Sequence, residues 1–526
     1  MGLGDHGPIA FPFEGTDDDL APALPTPART DKRRIMSGEA PSRPRARPVR
    51  GFPDRRALDL RAERQIVDAV ARVYESYGFE ALDTGAFEYA DALGKFLPDA
   101  DRPNAGVFAL LDDDQTWVAL RYDLTAPLAR FVAENWETLP KPFRRYAVGP
   151  VWRDEKPGPG RYREFLQCDA DTVGSARPEA DAEMIALAVA GYAAAGLARG
   201  DYVVKVNSRK LLNGLLAAAG VADTGQRLAV LRAADKLDRL GLEGVTALLG
   251  AGRKDESGAF TPGARLNGPA IDAVIAFVGA AQPGRAATLD RLADIIGGSA
   301  EGDEGLRELA RIGETLNRLG VGEDQALFDP SVVRGLEYYT GSVFEAQLVA
   351  SAADGGEDLS RFGSIGGGGR YDELVARFTG EQTPATGFSF GVSRLAAALA
   401  ATGRRSAQRL RGPVVVIALD AERMGDYFAI AAELRAAGIA AEVYLGASGM
   451  RAQMKYADRR LAPAAVILGD DEIAAGAVTV KNLDLGRALS GETADNREWR
   501  ESRPGQVTAA RADLVATVRR IVEDVQ

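Results

Sequence analysis

The stretch 143-FRRYAVGPVWRDEKPGPGRYREFLQCDADTV-173 holds two β-like runs, 143–153 and 161–173, joined by 154-DEKPGPG-160, in which Pro and Gly dictate a turn. Side chains alternate across a strand. That rule places Arg161, Arg163, Phe165, Gln167, Asp169 and Asp171 on one face of the second run. Tyr162, Leu166, Cys168 and Ala170 fall on the other, with Glu164 out of place. An antiparallel sheet with one solvated face shows the same alternation. A glutamine and acids beside arginines and a phenylalanine also suit a cleft that reads a small zwitterion and a purine.

Outward from this hairpin the chain divides. Ile66, Val70, Val73 and Tyr77 recur at helical spacing before Gly78, and 79-FEALDTG-85 reads as a short strand. The Ala-rich run 184-MIALAVAGYAAAGLA-198 is too short to span a membrane and reads as a packed core helix. Helical sequence fills much of 177–325, broken by a charged, Gly-containing loop at 252–268. Strands return at 332–349, where 331-SVVRGLEYYTGSVFE-345 sets an arginine, a glycine and two tyrosines in a segment otherwise built like a buried strand. A glycine cluster follows in 364-SIGGGGRYDELV-375. After the Gly/Arg-rich linker 402–412, the strands 413-PVVVIAL-419 and 464-AAVILG-469 alternate with helical sequence as in a compact α/β module.

The first 50 residues are acidic, then basic and Pro-rich, which predicts a disordered tail, and Met36 is an alternative start to Met1. No basic stretch followed by an apolar run opens the chain, so no secretory signal is expected. One cysteine, Cys168, rules out an intrachain disulfide and a thiolate cluster. One histidine, His6, lies in the tail, which removes imidazole bases, Ser-His-Asp chemistry and His-ligated zinc from the folded body. Catalysis must then run on arginine, lysine, carboxylates, tyrosine, backbone amides or the substrate. The net charge of −11 neither suggests nor excludes nucleic acid, since a local basic patch suffices.

The run 153-RDEKPGPGRYREFLQ-167 resembles motif 2 of class II aminoacyl-tRNA synthetases, in the form found in the histidyl-tRNA synthetase family. Within the same resemblance, 121-RYDLTAPLAR-130 is similar to the substrate loop and 387-GFSFGVSRL-395 to motif 3. The stretch 334-RGLEYYTGSVFE-345 and the glycine cluster with 370-RYDELV-375 are similar to the two histidine-specific elements. The segments 453-QMKYADRR-460, 466-VILGDDE-472 and 476-GAVTVKNL-483 resemble the family's anticodon-binding domain. The glycines 366 to 369 are not a dinucleotide fingerprint, because Tyr371 stands where the third glycine belongs, and no Gly-Lys-Ser/Thr follows to make a P-loop.

The resemblance implies an α+β catalytic domain over 51–408 with an antiparallel sheet flanked by helices, a helical insertion near 212–325, and an α/β anticodon-binding domain over 409–526. It implies a cytoplasmic homodimer that joins L-histidine to ATP and transfers it to tRNA(His), with no membrane or DNA partner and magnesium held mainly by the ATP phosphates. Arg334 and Arg153 are then expected on the α-phosphate and histidine carboxylate. Phe165 and Arg394 would sandwich the adenine, with Arg161 on the outer phosphates and Glu155 at the adenine edge or a magnesium-linked water. Asp123, Leu124, Thr125 and Gln167 would take the histidine backbone, and Asp171, Tyr338, Tyr339 and Tyr371 the imidazole. Arg451, Lys455, Arg459 and Arg460 would form a phosphate-facing stripe.

The pattern departs from the family in four places. Thr84-Gly85-Ala86 replaces the proline that ends motif 1, and Lys156-Pro157-Gly158-Pro159-Gly160 stands where relatives often carry an Arg and a Gln reaching the acceptor end. Leu166 stands for a common histidine, and Ser393 for an acid before the motif 3 arginine. These departures predict that an extra 5′ guanosine on the tRNA matters less here. Two rival readings share the fold: a histidine-sensing regulatory subunit of ATP phosphoribosyltransferase, which would lack the arginines and last domain, and a class II synthetase for another amino acid, which would not need Arg-Gly-Leu-Glu-Tyr-Tyr.

Overall fold

The computed structural model describes residues 45–93, 106–158, 160–254, 258–296, 298–335, 338–349, 362–401, 411–490 and 505–523. Most of the tail, with Met1, His6 and Met36, and the linker 402–410 lie outside them. The chain separates into two units, Met1–Asp54 and Arg55–Gln526. Of the first, residues 45–54 are described and hold no helix or strand.

In the second unit helix α1 (Ala57–Ser76) precedes strands β1 (Glu80–Ala81), β2 (Phe87–Tyr89), β3 (Ala109–Leu111) and β4 (Trp117–Leu120). Helix α2 (Thr125–Asn135), β5 (Phe143–Trp152), β6 (Glu164–Val173), α3 (Pro178–Ala194) and β7 (Tyr202–Ser208) follow. A helical block then runs through α4 (Arg209–Ala218), α5 (Thr224–Ala234), α6 (Leu237–Leu249), α7 (Gly268–Val278), α8 (Arg285–Ile296) and α9 (Ala300–Arg318). The segment expected as a loop at 252–268 contains the small hairpin β8 (Gly252–Lys254) and β9 (Phe260–Pro262). The chain returns through β10 (Ala326–Phe328), β11 (Ser342–Leu348), β12 (Ser364–Arg370), α10 (Ala376–Thr379), β13 (Ala385–Gly391) and α11 (Val392–Ala401).

Eight strands form one sheet in the order β1-β5-β6-β13-β12-β11-β7-β10. Only its two outer pairs, β1 with β5 and β7 with β10, are parallel. The back face of this sheet is core: Cys168, Ala170, Phe344, Phe388 and Phe390 pack against Ile66, Val70 and Tyr74 of α1 and against α3. Helix α1 therefore turns Tyr74 inward, and Val73 and Tyr77 sit at the margin of the buried stripe. Ten of the 17 residues of α3 are buried, as its apolar sequence requires.

The last part folds on its own sheet, β15-β14-β16-β17-β18, from β14 (Val414–Ile417), β15 (Ala441–Val443), β16 (Ala464–Ile467), β17 (Ala477–Asn482) and β18 (Gln506–Ala510). Helices α12 (Met424–Ala436) and α16 (Leu514–Glu523) cover one face of it. Helix α13 (Met450–Arg459) packs Ala457 on the other, and the shorter α14 (Asp470–Ala474) and α15 (Leu483–Ser490) complete the module.

One expectation fails. The described residues 331–335 and 338–341 are not strand, and β11 begins only at Ser342. Gly335, at a φ of 60°, turns the chain through the left-handed region straight after Arg334, a conformation no strand contains.

Candidate active site

The front face of the eight-stranded sheet is floored by very small residues. Ala147 and Gly149 on β5, Gly387, Ser389 and Gly391 on β13, and Gly367 and Gly369 on β12 lie in register beside Gln167, Asp169 and Asp171 of β6. The glycines are there for space. A Cβ on Gly367 would stand 2.8 Å from Arg334 Nη1 and 3.0 Å from the Phe344 carbonyl, and one on Gly387 would strike the Asp171 carboxylate. Above this floor opens a cavity of about 470 Å³, of the size that holds small-molecule ligands.

Cations gather at one part of the cavity wall. Arg153, Arg161, Arg334 and Arg394 all line it, with Glu155 and Phe165. Arg153 lies over the Phe165 ring at 5.1 Å and donates through Nε to the Tyr122 carbonyl at 3.0 Å. Arg394 donates to the Ser364 carbonyl at 2.5 Å. Burial first, then the fields of Arg161, Arg334 and Arg153, bring its pKa down to about 10. Four arginines gathered with only Glu155 and Glu345 beside them leave a positive excess suited to a polyanion. Arg334 itself is gripped by the Ser364 hydroxyl at 2.5 Å and the Glu345 carboxylate at 3.1 Å.

Acids and phenols line the rest of the wall. Asp123, Thr125, Gln167, Asp169, Tyr338 and Tyr339 face the cavity. Asp123 accepts the backbone N–H groups of Thr125 and Ala126 at 3.1 and 2.9 Å, which tethers it at the start of α2. Burial raises its pKa, against those two hydrogen bonds and Arg153. Tyr338 and Tyr339 meet edge to face with ring centroids 5.4 Å apart. The field of Arg334 acts on Tyr339, so this arginine lies where the cationic and phenolic regions join.

Leu124, Asp171 and Tyr371, expected at the substrate, do not line the cavity but stand directly behind its wall. Asp171 pairs with the fully buried Arg145 at 2.9 Å and accepts the Tyr371 hydroxyl at 2.5 Å. Tyr371 in turn packs on Tyr338 with centroids 5.6 Å apart. Arg145 also donates to the Leu124 carbonyl at 2.7 Å. These residues therefore shape the phenolic pocket through a buried ion pair. In the second sheet, Arg451, Lys455 and Arg459 share an exposed face of α13. Arg460 does not join them. Both its Nε and Nη2 are bound to Glu442, at 2.9 Å each.

The family model described as histidyl-tRNA synthetase matches residues 51–395, and one described as an anticodon binding domain matches 413–499. The chain belongs to the histidyl-tRNA synthetase family. A histidine–tRNA ligase of Caulobacter vibrioides is 69% identical over 91% of this chain and 97% of its own. One of Cereibacter sphaeroides is 53% identical over 92% of this chain and 99% of its own. Among solved structures, a histidyl-tRNA synthetase from Nostoc sp. PCC 7120 covers 90% of this chain and 99% of its own, at 29% identity and a TM-score of 0.67.

Two features of this histidyl-tRNA synthetase site were invisible in the motifs. Asp169 is one: it projects from the centre of the floor, 2% exposed, between Ala147 and Ser389, and its Oδ1 is buried with no hydrogen-bond partner. Burial and the neighbouring Asp171 push its pKa up to about 8, against the field of Arg145. Strand alternation marked its face but not its isolation. Glu63 is the other. Ser393 donates to Glu63 Oε1 at 2.5 Å and accepts the Leu166 N–H at 3.0 Å. Helix α1 thus brings a carboxylate beside position 393, where the family pattern would have its own acid.

Proposed function

We propose that this chain is a histidine–tRNA ligase, an enzyme that activates L-histidine with ATP and transfers it to tRNA(His). The observation that carries the reading is a single cavity joining four arginines to a paired-tyrosine, acid-lined pocket through Arg334.

In the first step a histidine carboxylate oxygen attacks the α-phosphorus of ATP and the bond to pyrophosphate breaks. Arg334 and Arg153 neutralise the charge gathering on the α-phosphate, and Arg161 holds the outer phosphates. Such preorganised cations lower the barrier without a proton transfer. Phe165 and Arg394 take the two faces of the adenine, which requires Arg153 to yield its place over the phenylalanine ring. Asp123, Thr125 and Gln167 bind the α-ammonium group. Tyr338 and Tyr339 contact the imidazole, with Asp171 and Tyr371 setting their position. A substrate lacking the imidazole N–H strands buried polar groups, which is how such pockets discriminate.

In the second step a ribose hydroxyl of the tRNA attacks the carbonyl carbon and AMP leaves. Among the described residues no three His, Cys, Asp or Glu side chains converge as a metal site. Glu155 is the acid beside the arginines, a donor set that fits magnesium arriving on the nucleotide. We assign residues 51–408 to catalysis, with 212–325 as a helical insertion, and 409–526 to the anticodon. Phe87, Tyr89 and Leu110 leave one side of the small β2-β4-β3 sheet apolar and exposed, and we take this side as the seam of a homodimer. No helix among the described residues is long and apolar enough to cross a membrane, and we propose that the protein acts in the cytoplasm.

ATP–pyrophosphate exchange with each of the twenty amino acids tests the reading. Histidine alone should support exchange. Exchange driven by a different amino acid overturns the assignment, and none at all favours a histidine-sensing regulatory subunit.

A further inference from the structure

Arg334, Tyr338 and Tyr339 lie outside regular structure, yet the backbone at Arg334–Gly335 and at Gly341 is tied to one residue far upstream. Arg209 is the first residue of α4, directly after β7. Its backbone N–H donates to the Gly341 carbonyl at 2.8 Å. Its guanidinium Nη2 donates to the carbonyls of Arg334 at 2.6 Å and Gly335 at 3.1 Å. One residue thus holds the backbone where it leaves the catalytic arginine and where it re-enters the sheet.

The arrangement is expensive for the fold. Arg209 is 6% exposed, and its Nε and Nη1 are buried without a hydrogen-bond partner. Burial lowers its pKa to about 10, against the field of Asp235 at the end of α5. A buried cation with two unsatisfied donors stabilises a protein less than an apolar side chain of equal volume would. Its hydrogen bonds go to the turn where Gly335 takes positive φ, which fixes the direction in which the Arg334 side chain leaves the backbone. Arg209 is not among the residues lining the cavity, so any influence on the reaction passes through Arg334 and the tyrosines. Its own base is stiff, because the adjacent Lys210 is held by Glu304 and Glu308 of α9 at 2.8 and 2.6 Å.

We propose that Arg209 is a positioning residue for amino-acid activation, clamping the backbone at Arg334–Gly335 and at Gly341 so that Arg334 meets the α-phosphate in one geometry. The clamp joins the root of the helical block to the active site. The inference rests on the ligase reading given above.

The experiment compares full-length wild type with Arg209→Ala, Arg209→Lys and the bulk-preserving Arg209→Met in histidine-dependent exchange, with and without added guanidinium. A reacting group misplaced by about an ångström loses roughly 10²-fold in rate. Arg209→Ala should therefore lose about 10²-fold in kcat, with the KM values for histidine and ATP changed less than about threefold. Guanidinium, but not an equal concentration of sodium chloride, should restore part of the Arg209→Ala rate, and Arg209→Lys should fall between alanine and wild type. Arg209→Met, which keeps the packing, should be folded by circular dichroism and as slow as Arg209→Ala. Wild-type kcat in Arg209→Met, or slow variants that guanidinium does not help, overturns the proposal. A wild-type chain that gives no exchange with histidine overturns the ligase reading instead.

Discussion

Asp169 sits 2% exposed at the middle of the active-site floor with an unpartnered oxygen, whereas Asp171, two residues on, is neutralised by Arg145. Neighbouring carboxylates on one strand face therefore have different fates, decided by which residue the next strand sets opposite: Ala147 for one, Arg145 for the other. The ordinary value of such a carboxyl is 3.8 and its folded value about 8. Between those limits the native state keeps a proton that the unfolded chain has released, so this group lowers stability as pH rises through that window. Asparagine does not titrate. The unfolding free energy of Asp169→Asn relative to wild type, from denaturant titrations, should rise steadily from pH 4 to pH 8, with a slope of up to about 1.4 kcal/mol per pH unit. A pH-independent difference would mean that Asp169 is ionised throughout. The same variant should raise the KM for histidine more than that for ATP in exchange assays.

At the scale of elements, the glycines of β12 and β13 show a strand built for what stands above it. Gly367→Ala would set a methyl group against Arg334 Nη1 and the Phe344 carbonyl. The guanidinium can shift and the carbonyl cannot, so stability should fall by about 1–3 kcal/mol. Exchange should drop further, towards the roughly 10²–10³-fold loss expected of Arg334→Ala, as measured by kcat beside a denaturant titration. A near-normal kcat would show that the arginine tolerates displacement. Helix α13 makes a second case. Arg451, Lys455 and Arg459 line its exposed face, while Gln453 and Ala457 are buried opposite and Arg460 is bound to Glu442. Replacing the three exposed cations with alanine should weaken tRNA binding and flatten its dependence on log salt by about two to three. Replacing Arg460 should change the salt slope far less. Equal effects from both would place the contact elsewhere.

For the whole molecule, the exposed apolar side of the β2-β4-β3 sheet is the feature that a monomer does not explain. Phe87→Glu with Tyr89→Lys should convert a dimer into a particle of the 55.7 kDa chain mass in sedimentation. An unchanged dimer would move the seam to another surface.

Local order was legible in the sequence. The Pro/Gly turn between β5 and β6, the alternation that buries Cys168 and Ala170, and the Ala-rich helix α3 follow from local pattern, because each depends on neighbours a few residues apart. The arginines and tyrosines of the site were legible for the same reason, as local motifs. The segment before β11 misled, since its apolar flanks imitate a strand, whereas Gly335 takes positive φ directly after Arg334. Arg209 beneath Arg334, Glu63 beside Ser393, and the division of labour between Asp169 and Asp171 were settled by tertiary structure alone. Each joins residues far apart in the chain or depends on a cross-strand partner. The order in which eight strands align decides such pairs, and no local pattern encodes it.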